Sequence, residues 1–241
     1  VTFVRIGAAL TIMPGIGDSF VQPSIRLYIA LGISLMLMPL VQPFLPNPMP
    51  DTAGLLVLMG SEFIIGIFIG TIARIFMLAL DTAGMVMSTQ SGLGNAQVFN
   101  PAMATQGSLM GVLLSMTGVV LLLVTNMHHL LIYGLLGSYD VFPVGSVPES
   151  GDMADMISAA IAGSFMVGIQ ISAPFIVLSL LLYIGMGILS RLMPQVQVFM
   201  LSLPLQIILS LITLVLMFSS GMLFWLTKFE DSMMFFFGGG G

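Results

Sequence analysis

TAGLLVLMGSEFIIGIFIGTIARIFMLALDTAGMVMSTQ, from Thr52 to Gln90, is an apolar run in which only Glu62, Arg74 and Asp81 carry charge. One crossing of a bilayer core takes about 20 apolar residues. This run has 39, and as one helix it would reach almost 60 Å at about 1.5 Å per residue. It predicts a membrane helix that either folds back as a hairpin or stands taller than the bilayer inside an assembly.

The rest of the chain repeats the pattern. Its 241 residues include five Lys or Arg and ten Asp or Glu, 6% charged, with a mean hydropathy of +1.13. A soluble domain needs about a quarter charged residues to cover its surface. Six apolar segments are predicted: Val1–Gly15, Ser24–Phe44, Thr52–Gln90, Ser108–Ser138, Asp152–Leu192 and Pro204–Phe229. Prolines at 39, 43, 46, 48 and 50 end the second, because proline lacks the donor a helix interior needs. Asp51 or Thr52 is the predicted N-cap of the third. Pro174 is a predicted kink or hairpin turn in the fifth. The fold class is therefore all-α, an integral membrane protein of long, kinked helices and helical hairpins. Residues 1–237 are expected to form one membrane-embedded unit. Gly238–Gly241 reads as a linker, and residues upstream of Val1 are expected. No cleavable signal peptide is expected at Ile6–Ile16, which no basic region precedes.

Composition also excludes function classes. Without cysteine there are no disulfides and no thiolate zinc site. The net charge is −5, and the cations Arg5, Arg26, Arg74, Arg191 and Lys228 are scattered singly. That is no footprint for nucleic acid, and it gives the positive-inside rule nothing to read. His128 and His129 are adjacent, so on a helix they point apart, unlike the i, i+4 pair of a helical metal site. With no nucleophile elbow, P-loop or dinucleotide fingerprint, no catalytic, cofactor or metal residues are predicted, and the chain is expected not to be an enzyme.

Two features carry functional weight. Glu62, Arg74 and Asp81 are costly in hydrocarbon; each is expected to pair with a neighbouring helix or subunit, or else to line a water-filled route. Arg74 and Asp81, seven residues apart, are separated by about 10 Å of helix rise, long for a direct ion pair. Ser91–Gly107 (SGLGNAQVFNPAMATQG) is uncharged and bracketed by glycines. Irregular backbone at membrane depth is tolerated where it is buried in protein or lines a cavity, so a pore constriction and an ordinary short loop both fit. Gly66 and Gly70 form a GxxxG pair that suits close helix approach, within the chain or between subunits.

The residues then match a known family. Met193-Pro194-Gln195-Val196-Gln197-Val198-Phe199 resembles the Pro-Gln-x-x-x-Phe signature of the FliR family, core membrane subunits of the flagellar type III export gate with injectisome counterparts. Ser138-Tyr139 followed by Phe142-Pro143-Val144-Gly145, Arg5 with Pro14, and Gln90-Ser91-Gly92 leading to Phe99-Asn100-Pro101 agree in order and spacing. The resemblance covers essentially the whole chain. One departure is Asn126-Met127-His128, where the family often has Asn-Gly before its His.

The resemblance implies protein export without chemistry and without a cofactor. It implies assembly with FliP-like and FliQ-like subunits, and with an FlhB-like subunit, in the flagellar basal body of the bacterial inner membrane. Unfolded proteins would be the cargo and lipid the surroundings. It also implies a FliP-like N-terminal part and a FliQ-like C-terminal part, built of hairpins that do not simply traverse the bilayer. The family's plug loop matches Ser91–Gly107, making Gly92, Gly94, Gln97, Val98, Phe99, Asn100, Pro101 and Met103 candidates for closing the pore. Pro194, Gln195 and Phe199 mark the signature turn. A stand-alone small-molecule or ion transporter is the runner-up, since broken helices and intramembrane charges suit it too, but it should show two similar halves and none is evident. An intramembrane enzyme lacks its nucleophile or metal constellation.

Overall fold

The computed structural model describes residues 1–46, 51–94, 108–145, 150–193 and 198–237. Their elements are α1 (Thr2–Ile12), α2 (Pro23–Val41), a 3-10 turn (Gln42–Phe44), α3 (Thr52–Gln90), α4 (Leu109–Val124), α5 (Met127–Val141), α6 (Ser150–Leu192) and α7 (Val198–Phe237). There is no strand among the described residues. Four helices are long and apolar enough to cross a membrane, and the bent pair α4–α5 would make five. The all-α membrane class read from the sequence is what the chain adopts.

The long segments do not fold back internally. α3, α6 and α7 run 39, 43 and 40 residues without a break, each about 60 Å at 1.5 Å per residue. Pro174 therefore makes no hairpin turn: α6 continues through it, because losing one backbone hydrogen bond and crowding the preceding turn bends a helix more readily than it ends one. α7 begins six residues before its predicted start, with Pro204 inside its second turn. The fourth segment is two helices, bent by 77° at a two-residue break. Asn126 takes φ 60° there, a left-handed conformation that Asn tolerates better than most residues.

Ends follow local chemistry. Asp51 Oδ1 accepts the N–H of Gly54 at 3.0 Å, capping α3. Ser108 Oγ accepts the N–H of Gly111 at 2.9 Å and does the same for α4. α2 opens on Pro23, where the missing N–H costs nothing.

The described chain groups into two compact units. The first comprises Val1–Met77, Val119–Gly163 and Phe229–Gly241; the second comprises Leu78–Gly118 and Ser164–Lys228. In the first, Gly66 and Gly70 face α1: a Cβ at Gly66 would strike the carbonyl of Arg5, and one at Gly70 would lie 2.7 Å from the carbonyl of Ala9. The GxxxG pair therefore serves packing within the chain. In the second, a Cβ at Gly84 would strike the backbone of Gly111, so α3 and α4 cross in backbone contact. Cover is uneven: 67% of the most apolar window of α3 is buried, against 11% of that of α7. Faces that apolar need lipid or other subunits against them.

Candidate functional site

In the first unit one guanidinium gathers three helices. Arg5 on α1 and Glu62 on α3 are both completely buried. Arg5 Nε donates to Glu62 Oε2 at 2.7 Å and Nη2 to Oε1 at 2.8 Å, the parallel fork that binds a carboxylate most strongly. Nη1 donates to the carbonyl and hydroxyl of Ser138 at 3.1 and 3.2 Å, and Nη2 to the carbonyl of Phe142 at 2.9 Å. Ser138 lies in the last turn of α5 and Phe142 is its C-cap, the end of a helix that favours a cation. All five guanidinium N–H groups are thereby satisfied, and the group also stacks on the Tyr139 ring at 4.0 Å. Residues quoted from opposite ends of the family resemblance, Arg5 and the Ser138–Phe142 stretch, are one cluster in space.

The other two intramembrane charges have different partners. Arg74 pairs with Asp18 in the turn after α1, and Asp18 Oδ2 also accepts the N–H of Gly15 at 2.7 Å. Arg74 is 39% exposed, so the pair contributes little to stability. In the second unit Asp81 Oδ1 accepts the Ser115 hydroxyl at 2.6 Å, linking α3 to α4.

Also in the second unit, the base of the uncharged loop is held by amides. Gln90, the last residue of α3, accepts the Ser179 hydroxyl of α6 on its Oε1 at 2.6 Å. Its backbone carbonyl accepts Gln206 Nε2 of α7. Ser91 is fully buried, and its hydroxyl donates to the carbonyl of Ser88 at 3.0 Å. Gly92 has φ 77°, and a Cβ there would lie 3.3 Å from Leu203 and 3.5 Å from Gln206 Oε1. A side chain at 92 would meet both a forbidding backbone conformation and the α7 surface. Gly94 donates its N–H to the carbonyl of Ser88 at 2.9 Å. Gln97, Val98, Phe99, Asn100, Pro101 and Met103 lie outside the described residues, as do Gly107, Pro194 and Gln195; Phe199 falls in the first turn of α7.

Sequence reasoning missed Asp18, Ser115, Ser179 and Gln206 as partners. The available signal was that a hydroxyl or amide within an apolar helix is expensive unless bonded. Gln206 in the run Pro204–Met217 stands out on that ground. The adjacent histidines stack at 4.2 Å, and His128 Nδ1 lies 3.5 Å from the carbonyl of Leu122. Among the described residues no group of three or more His, Cys, Asp or Glu could hold a metal ion.

Long apolar helices, buried fixed charges and uncovered apolar faces define an integral membrane protein of all-helical type. Residues 1–232 match the family model for bacterial export proteins, family 1, and the chain belongs to that family. It is 38% identical over 230 residues to the flagellar biosynthetic protein FliR of Caulobacter vibrioides, covering 95% of this chain and 91% of that one. It is 31% identical to FliR of Aquifex aeolicus, covering 89% and 83%. It is also 29% identical to the Yop proteins translocation protein T of Yersinia pestis, covering 65% and 60%.

Proposed function

We propose that this chain is a non-enzymatic subunit of the flagellar type III export gate in the bacterial inner membrane, at the flagellar basal body. The observation that carries the reading is family membership across residues 1–232 together with similarity to FliR proteins over most of the chain. Flagellar use is favoured over injectisome use because the Yersinia relative matches only 65% of the chain.

In this reading the uncovered faces of α2, α6 and α7 are where FliP-like and FliQ-like subunits, an FlhB-like subunit and lipid sit. A FliP-like N-terminal part and a FliQ-like C-terminal part would supply those faces. The loop Ser91–Gly107 closes the passage through which unfolded flagellar proteins leave the cytoplasm. Gln90, held by Ser179 and Gln206, fixes one end of that loop while the left-handed Gly92 lets the chain turn away from α3. Driving energy comes from other components.

The test is co-expression with the neighbouring FliP-like and FliQ-like subunits, purification through a tag on this chain, and native mass spectrometry. A defined heteromeric complex is expected. Recovery of the chain alone or as a homo-oligomer, despite co-expression with those partners, would overturn the reading in favour of a stand-alone transporter.

A further inference from the structure

An apolar groove of about 550 Å³ lies between α1 and α2 in the first unit, within the size range that holds a small ligand. Phe3, Gly7 and Thr11 line it from α1, Arg26 and Leu27 from α2, and Phe63 from α3. Gly7 keeps its floor open, since a Cβ there would meet only the Phe3 ring, at 3.6 Å. Arg26 sets its polarity. Its Nε donates to the carbonyl of Val21 at 3.0 Å and its Nη2 to that of Asp18 at 2.6 Å. Both carbonyls belong to the turn joining the helices, so the charge is held at that end of the groove.

The local charge does not balance. The Asp18 carboxylate is already engaged by Arg74 and by the N–H of Gly15. Among the described residues Arg26 has no carboxylate within ion-pair distance. In a chain of net charge −5 this corner carries a surplus cation, and Nη1 still has donors to give. The apolar span Pro23–Phe44, 22 residues long, has the length of one crossing. Arg26 lies in its first turn, the position that a crossing of that length would put at the headgroups.

We infer that this groove binds an anionic phospholipid, with an acyl chain along the apolar floor and the phosphodiester accepting hydrogen bonds from Arg26. A zwitterionic lipid fits less well, because the nearby carboxylate is occupied and no anion is left for its ammonium group. A helix from a neighbouring subunit could fill the apolar trough but would have to bring a carboxylate of its own to Arg26, whereas an anionic lipid carries that charge in its headgroup.

The test is native mass spectrometry of the full chain in mild detergent, titrated with phosphatidylglycerol or phosphatidylcholine of matched acyl chains. The wild type should retain one phosphatidylglycerol tightly and phosphatidylcholine more weakly. Arg26→Gln should lower phosphatidylglycerol affinity about fivefold, the effect of one basic residue near an anionic lipid surface, and erase the preference; Arg26→Lys should keep it. Gly7→Leu and Leu27→Trp fill the groove from opposite walls and should weaken both lipids. Should Gly7→Leu fail to fold, Leu27→Trp reads the same point from a half-exposed position. An unchanged preference in Arg26→Gln, or full lipid retention in Leu27→Trp, would overturn the inference. So would competition by soluble glycerophosphate, which would mark a free-phosphate site. In the co-expressed complex, a cross-link from position 27 to another subunit with loss of the lipid would assign the groove to that subunit instead.

Discussion

Replacing Glu62 by Gln should be among the most damaging single-atom changes available in this chain. The substitution keeps the side chain's shape but removes the charge facing a completely buried guanidinium. It also converts one of the two oxygens that accept Arg5 Nε and Nη2 into an NH2 donor, leaving an N–H aimed at another N–H. Removing one partner of a buried ion pair costs about 3–5 kcal/mol, because the remaining charge is left uncompensated. The three bonds to Ser138 and Phe142 and the Tyr139 stack persist, so the lower half of that range is expected. The assay is urea-dependent unfolding in detergent micelles, with Arg5→Met, Glu62→Leu and the double variant Arg5→Met/Glu62→Leu forming a cycle beside Glu62→Gln. The double variant should recover much of the single-variant loss, since apolar replacement of both partners removes the orphaned charge. A Glu62→Gln cost below about 1 kcal/mol, or a double variant as damaged as the sum of the singles, would refute the reasoning.

Gly84→Val should abolish assembly or accumulation, because its side chain would enter the backbone of Gly111; Gly60→Ala, with nothing within 4 Å, should be neutral or slightly stabilising by thermal melting. Asn126→Gly should leave stability nearly unchanged, whereas Asn126→Val should cost about 1–2 kcal/mol at the left-handed turn between α4 and α5. Gln206→Ala removes the donor to the Gln90 carbonyl and should cost about 1–3 kcal/mol. In the assembled complex, if the loop closes the passage, it should also raise resting ion leak; a stability loss with no change in leak would separate fold support from gating.

The sequence made the class legible because charge density and run length are properties of the chain alone. The bounds of α3 and its cap at Asp51 or Thr52 followed from local chemistry, whereas its continuous course did not. What it hid was tertiary or depended on one backbone angle. Pro174 reads identically for a bend and a turn, and α6 continues through it. The break at Asn126 rests on a single residue adopting φ 60°, which neither apolar periodicity nor hydropathy registers. Arg5 stood out as a charge in an apolar run, but its partners lie 57 and 133 residues away, beyond any local pattern. The Ser179–Gln90–Gln206 link was invisible for the same reason, although each residue was a polar group in an apolar helix that had to find a partner.

The loop's proposed part in closure is tested most directly by planar-bilayer conductance of the purified multi-subunit complex, comparing the wild type with a deletion of Gln97–Met103. A sealed wild type and a deletion that passes small ions are the predicted results. Equal, low conductance from both would contradict the assignment of Ser91–Gly107 as the seal.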